Sequence, residues 1–189
     1  MPSDSAPADF SLALWDLLLL GLKQSSKTYK SQCLGIIACL VDQYPDCVDQ
    51  LLRKAGLNKN QRSEVEKCLL PRARFGRRSI SDQDLFNVVV EAYRFKSAEV
   101  QECLRRVEAC VPVSYRKQFV QQAFAKQSNT EHCLRLLEAA DRMHAFGDET
   151  IFEMSVFVSH VDSRIRDIAN KHAMANRQAR IHSRLAAQQ

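Results

Sequence analysis

Along most of the chain, apolar residues recur every three to four positions, the spacing of one helix face. Asp9 or Ser11 opens the first such segment, through Phe10, Leu14, Trp15, Leu18, Leu19 and Leu22. That segment is apolar nearly all round, which predicts a helix central to a first lobe. The other use for such a helix is membrane insertion or partner binding, led by Trp15 with Leu18 and Leu19. Ser25 or Ser26 caps a second helix, which runs to Tyr44 before Pro45, with Leu34, Ile37, Ala38 and Val41 inward. Asp46 opens DCVDQLLRKAG, which ends at Gly56, and Asn58 or Asn60 opens QRSEVEKCLL. Short loops between these segments predict a bundle of about four helices.

The periodicity breaks at LPRARFGRRSISDQDL, where Pro71, Gly76 and serines interrupt it. Arg72, Arg74, Arg77 and Arg78 lie close together there with no acid among them. The stretch reads as a basic linker over 71–80, either solvated or an anion-binding surface for RNA phosphates or acidic lipids. Ser81 with Asp84 then caps a helix striped by Leu85, Val88, Val89 and Tyr93. Ala98 to Cys110 is amphipathic, with Val100, Cys103, Leu104 and Val107 inward.

Val111 to Ser155 has the most readable helix ends. Pro112 and Ser114 open one helix, striped by Phe119, Val120, Ala123 and Phe124. Ser128 with Glu131 reads as a capping box for the next. Cys133, Leu134, Leu137, Ala140 and Met143 line its buried face, and Gly147 is expected to end it. Asp148 is placed to cap a last helix beginning at Glu149. There Ile151, Met154, Val158, Val161, Ile165 and Ile168 alternate in spacings of three and four. That is the pattern of a core helix or of a helix pairing between copies, with Val158, Val161, Ile165 and Ile168 as the interface. The tail RQARIHSRLAAQQ is basic and weakly apolar, and is expected to order on a partner.

Composition narrows the class. Five glycines and five prolines in 189 residues agree with an all-α chain. The net charge of +5 is modest but unevenly spread. None of the seven cysteines forms a C-x-x-C pair, and most sit among aliphatics, as buried apolar residues do. The start carries Asp4 and Asp9 and lacks a basic secretory region, and Pro2 leaves no N-terminal glycine for a myristoyl chain. LALWDLLLLGL falls short of the roughly 20 apolar residues a span needs.

No glycine-rich phosphate loop, H-E-x-x-H or nucleophile elbow is present. His132, Cys133 and His144 are the residues a helical fold would have to gather for a metal, and their spacing carries no ligand signature. No metal or other cofactor is expected. His160 and His172 read as surface or interface residues. These features point away from an enzyme.

One resemblance is carried by Val111-Pro112, then R-x-x-F-V-Q-x-A (Arg116, Phe119, Val120, Gln121, Ala123). Asn129 follows, then a helix with Arg135, Leu136 and Arg142, then Phe146-Gly147 and Glu153-x-Ser155. Upstream, Asp84-Leu85 and two helices lead into Val111. Over roughly residues 80–158 this resembles the middle of the influenza-type (orthomyxovirus) matrix protein, as a divergent member. The first 65 residues have no counterpart, and the family's Cys/Cys/His/His zinc-type spacing is not reproduced.

The resemblance implies a structural protein of the virion that self-assembles at the inner face of the envelope. Its partners would be copies of itself, anionic membrane and viral ribonucleoprotein or RNA, with no small-molecule substrate. In the host it would be found in cytoplasm, nucleus and membrane periphery. The expected fold is two small helical bundles, about eight to nine helices in all, joined by the basic linker. The expected map is a disordered tail at 1–8, lobes at 9–70 and 81–170, and a basic tail helix at 171–189. Charge alone nominates Arg72, Arg74, Arg77 and Arg78, with Lys117, Arg164 and Arg166 as a second basic group. A cellular helical adaptor that binds a partner peptide is the alternative, and a nucleic-acid-binding module outside any virus is a third.

Overall fold

The computed structural model describes residues 8–43, 58–60, 62–63, 66 and 81–186. Among the described residues the chain is all-helical, with eight α-helices, one 3-10 turn and no strand. Contacts divide it into two compact units, Met1–Cys110 and Val111–Gln189.

In the first unit, α1 (Ala8–Leu22) packs against α2 (Lys27–Gln43), α3 (Asp82–Ala92) and α4 (Ala98–Cys110). Helix α1 is central because it is apolar on every side, and Leu14, Trp15, Leu17, Leu18 and Leu22 are all buried. Gly21 lets α2 come close: a methyl there would overlap Cys33 Sγ and meet Tyr29 Cε1 at 3.0 Å. On α4, Cys103 Sγ donates to the Ala13 carbonyl at 3.3 Å, and Arg106 pairs with Asp16 at 3.0 Å. The buried Tyr93 hydroxyl donates to Glu108 Oε1 at 2.8 Å, so that carboxylate is satisfied inside the unit. Ser81 and Asp84 form the expected capping box on α3.

The second unit consists of α5 (Val113–Ala125), α6 (Thr130–Arg142), a 3-10 turn (Asp148–Thr150), α7 (Ile151–Phe157) and α8 (Ser163–Ala186). Phe119, Val120, Leu136, Leu137, Phe157 and Ile165 are its fully buried large residues. Arg116 fastens the start of α5 to the end of α6, donating to the carbonyls of Val111 (3.1 Å) and Met143 (3.3 Å).

Four details depart from the sequence expectation. The unit boundary lies at Cys110/Val111 instead of 71–80, because α3 and α4 pack on α1 and α2. The expected linker at 71–80 and the helix expected from Asp46 lie outside the described residues. Asn129, not Ser128, caps α6: its Oδ1 accepts from the His132 amide at 3.2 Å. Helix α6 ends before Gly147, at Met143, with His144 in the left-handed region at φ 53° and the Ala145 amide closing back on the Ala140 carbonyl.

The last change is the largest. The long apolar stripe from Ile151 to Ile168 is two helices, because Asp162 starts a new one and accepts from the Arg164 amide at 2.9 Å. The stripe therefore splits. Met154 and Ile165 are core, Val158 and Ile168 are half-buried, and Val161 sits on the turn at 88% exposure.

Candidate functional site

The nominated residues that the structure describes take different roles within their own units. Trp15, Leu18 and Leu19 are core residues of the first unit and offer no face to a membrane or partner. Ile165 is likewise wholly buried inside the second unit, so the four-residue interface of Val158, Val161, Ile165 and Ile168 does not form one outward stripe.

The second basic group is tied down. Lys117 pairs with Glu149, and Arg164 pairs with Asp162 at 2.9 Å and with Glu131 at 2.7 Å. Arg166 donates to the carbonyls of His160 and Val161, both at 2.8 Å, and so satisfies the turn before α8. Each of these cations has an anionic or carbonyl partner within the second unit, while Lys117 and Arg164 stay about half exposed. Hydrogen bonds from Arg164 hold the Asp162 carboxyl below the usual range. Arg72, Arg74, Arg77 and Arg78 lie outside the described residues.

The metal candidates stay apart in character. His132 and Cys133 are buried in α6, whereas His144 is exposed on the turn that ends it. Among the described residues no cluster of three or more His, Cys, Asp or Glu could hold an ion. The five described cysteines are free. Burial pushes the thiols of Cys33 and Cys133 up to about 12 and that of Cys103 to about 11, which makes them poor nucleophiles.

The feature that charge counting undervalued is α8. Its 24 residues extend about 36 Å, yet among those with described side chains only Ile165 and Ala169 are buried. Its anchor on α6 is Asp141, which accepts from Lys171 Nζ at 2.9 Å and pairs with His172 Nε2 at 2.7 Å. The His172 ring also stacks on Phe146, 4.0 Å between centroids. From Arg177 to Arg184 every residue is exposed. Residues 168–189 include Lys171, Arg177, Arg180 and Arg184 and no acid. Arg180 reaches Asp148 at 3.2 Å, while Arg177 and Arg184 have no ion-pair partner among the described residues.

The anchor has a pH signature. Burial pushes the Asp141 carboxyl up, but the hydrogen bonds from Lys171 and His172 outweigh it and hold the pKa below 3.8. A depressed carboxylate contributes stability that is complete above its unfolded pKa of about 4 and is lost as pH falls through the folded value. The thermal midpoint of Asp141→Asn should therefore lie below the parent's at pH 6, with the gap closing as pH falls toward 3. A gap of constant size across that range would show that the carboxylate charge is not what fastens α8.

Among the described residues no helix is long and apolar enough to cross a membrane. No protein-family model, curated protein or solved structure matches this chain.

Proposed function

We propose that this chain is a matrix-type structural protein, a divergent relative of the orthomyxovirus matrix proteins, that self-assembles and binds anionic partners without catalytic turnover. One observation supports the reading: the stretch of the resemblance from Val111 onward lies within the second compact unit, while its upstream part from residue 80 lies in the first. The residues of that stretch also build the unit. Arg116 joins α5 to α6, Phe119, Val120 and Ala123 fill the core, Asn129 caps α6, and Phe146 stacks on His172 of α8. On this reading the protein lies beneath a viral envelope, between anionic lipid and ribonucleoprotein, and reaches host cytoplasm and nucleus.

The arginines at 72, 74, 77 and 78 remain the proposed anion site, because no carboxylate interrupts them. Sedimentation with anionic and neutral vesicles, and with single-stranded RNA, at two salt levels tests this. Binding should favour the anionic ligands and weaken steeply with salt. Replacing all four arginines by alanine should cut it several-fold. Undiminished binding by that variant would remove the cluster from the proposal. The adaptor reading is favoured by one specific feature, the outward half of α8.

A further inference from the structure

The outward half of α8 carries a second pattern beside its arginines. Met174, Gln178, Ile181 and Leu185 recur at spacings of four, three and four. That is the alternation of an apolar pairing seam, with Gln178 as a polar position that fixes register. Met174 is 66% exposed and Ile181 50%, although both are large and apolar. Arg177 and Arg184 each stand one residue before a seam position, where a paired helix places its selecting charges. The opposite flank holds Ala175 and His182.

Charge decides the occupant. A second copy running parallel would set Arg177 and Arg184 against a flank that offers no acid. An antiparallel copy would set arginine against arginine. A lipid interface asks for a broad apolar face with aromatic anchors, and no aromatic residue other than histidine follows Phe157. Phosphates would engage the arginines but leave the seam unused. We infer that the outward face of α8 is a docking site for an acidic amphipathic helix of another protein, with apolar residues against Met174 and Ile181 and carboxylates against Arg177 and Arg184. The anchored inner half of α8, held by Ile165, Ala169 and the contacts of His172, keeps that face projecting.

The test uses the full chain and two labelled synthetic helices, both with leucine and isoleucine along the seam. One has glutamate on both flanks and the other lysine. The parent should bind the glutamate helix and reject the lysine helix. Met174→Ser with Ile181→Ser keeps every charge and should weaken binding by about tenfold or more. Arg177→Glu with Arg184→Glu should reverse the preference toward the lysine helix. Circular dichroism should match the parent for both variants, because all four positions are exposed. The inference is overturned if the parent ignores the glutamate helix. It is equally overturned if the serine variant binds that helix as tightly as the parent, which would leave only undirected charge attraction. RNA or phosphatidylserine vesicles bound by the parent in place of the glutamate helix would assign the face to phosphates. Self-association lost in the serine variant, without glutamate-helix binding, would assign it to a second copy. Either result overturns the inference.

Discussion

Phe157→Ala is expected to cost the second unit about 3–5 kcal/mol, the range for emptying an aromatic from a filled core. Phe157 is fully buried, and its ring lies edge-on to Phe124 at 6.2 Å and to His160 at 6.3 Å. It sits at the end of α7, beside the turn that leads into α8. The cavity would therefore open where three elements meet, with little freedom to collapse. A typical domain is stable by only about 5–15 kcal/mol, so this is a large fraction of the whole. Hydrogen exchange should show the amides of α5, α6 and α7 losing protection together. Phe152 provides the control. Its ring also meets Phe124, at 5.7 Å, but it is 67% exposed. Phe152→Ala should cost under about 1 kcal/mol, because most of that surface is already in water. Equal losses from the two substitutions would contradict the described core.

Gly21→Ala is the second large effect, and two opposing terms set its sign. Alanine gains about 1 kcal/mol over glycine in a helix interior. Against that, the new methyl collides with Cys33 Sγ and presses on Tyr29, both buried against α1. Overpacking of a filled core costs about 1–3 kcal/mol, occasionally more. Neither neighbour has open space to move into, so the upper part of that range applies. A net loss of about 1–2 kcal/mol should appear as a lower urea midpoint. Combining Gly21→Ala with Cys33→Ala tests the cause, because the second change removes the sulfur that clashes. The pair should lose less than the sum of the two single changes, and strict additivity would point to another source of strain.

The helical class was legible because apolar spacing, scarce glycine and short loops all agreed. The core roles of Leu18, Phe119 and Leu137 follow from the same spacing. The break before α8 was hidden by that signal, since Ile151 to Ile168 keeps helical spacing across it. The local chemistry of His160, Asp162 and Arg166 interrupts the helix, and side-chain bonds of that kind compete with helix continuation. The unit boundary was hidden for a different reason. Proline, glycine and arginine mark 71–80 strongly, but which helices share a core depends on the burial of α1 against α4.

Sequence charge alone did not reveal the partners of Lys117 and Arg164. Their partners, Glu149 and Glu131, lie about thirty residues away in sequence and adjoin them only after folding. The arginines of α8 gave the weaker local signal and hold the more accessible charge. A compositional count cannot separate a cation that finds an ion-pair partner in the fold from one that does not.

On the proposed reading this chain functions by assembling. Static light scattering of purified full chain, across rising concentration at low salt between pH 5 and 7, tests it most directly. Mass should climb with concentration beyond any small fixed oligomer. A particle that stays strictly monomeric over the whole range would contradict the matrix-type reading.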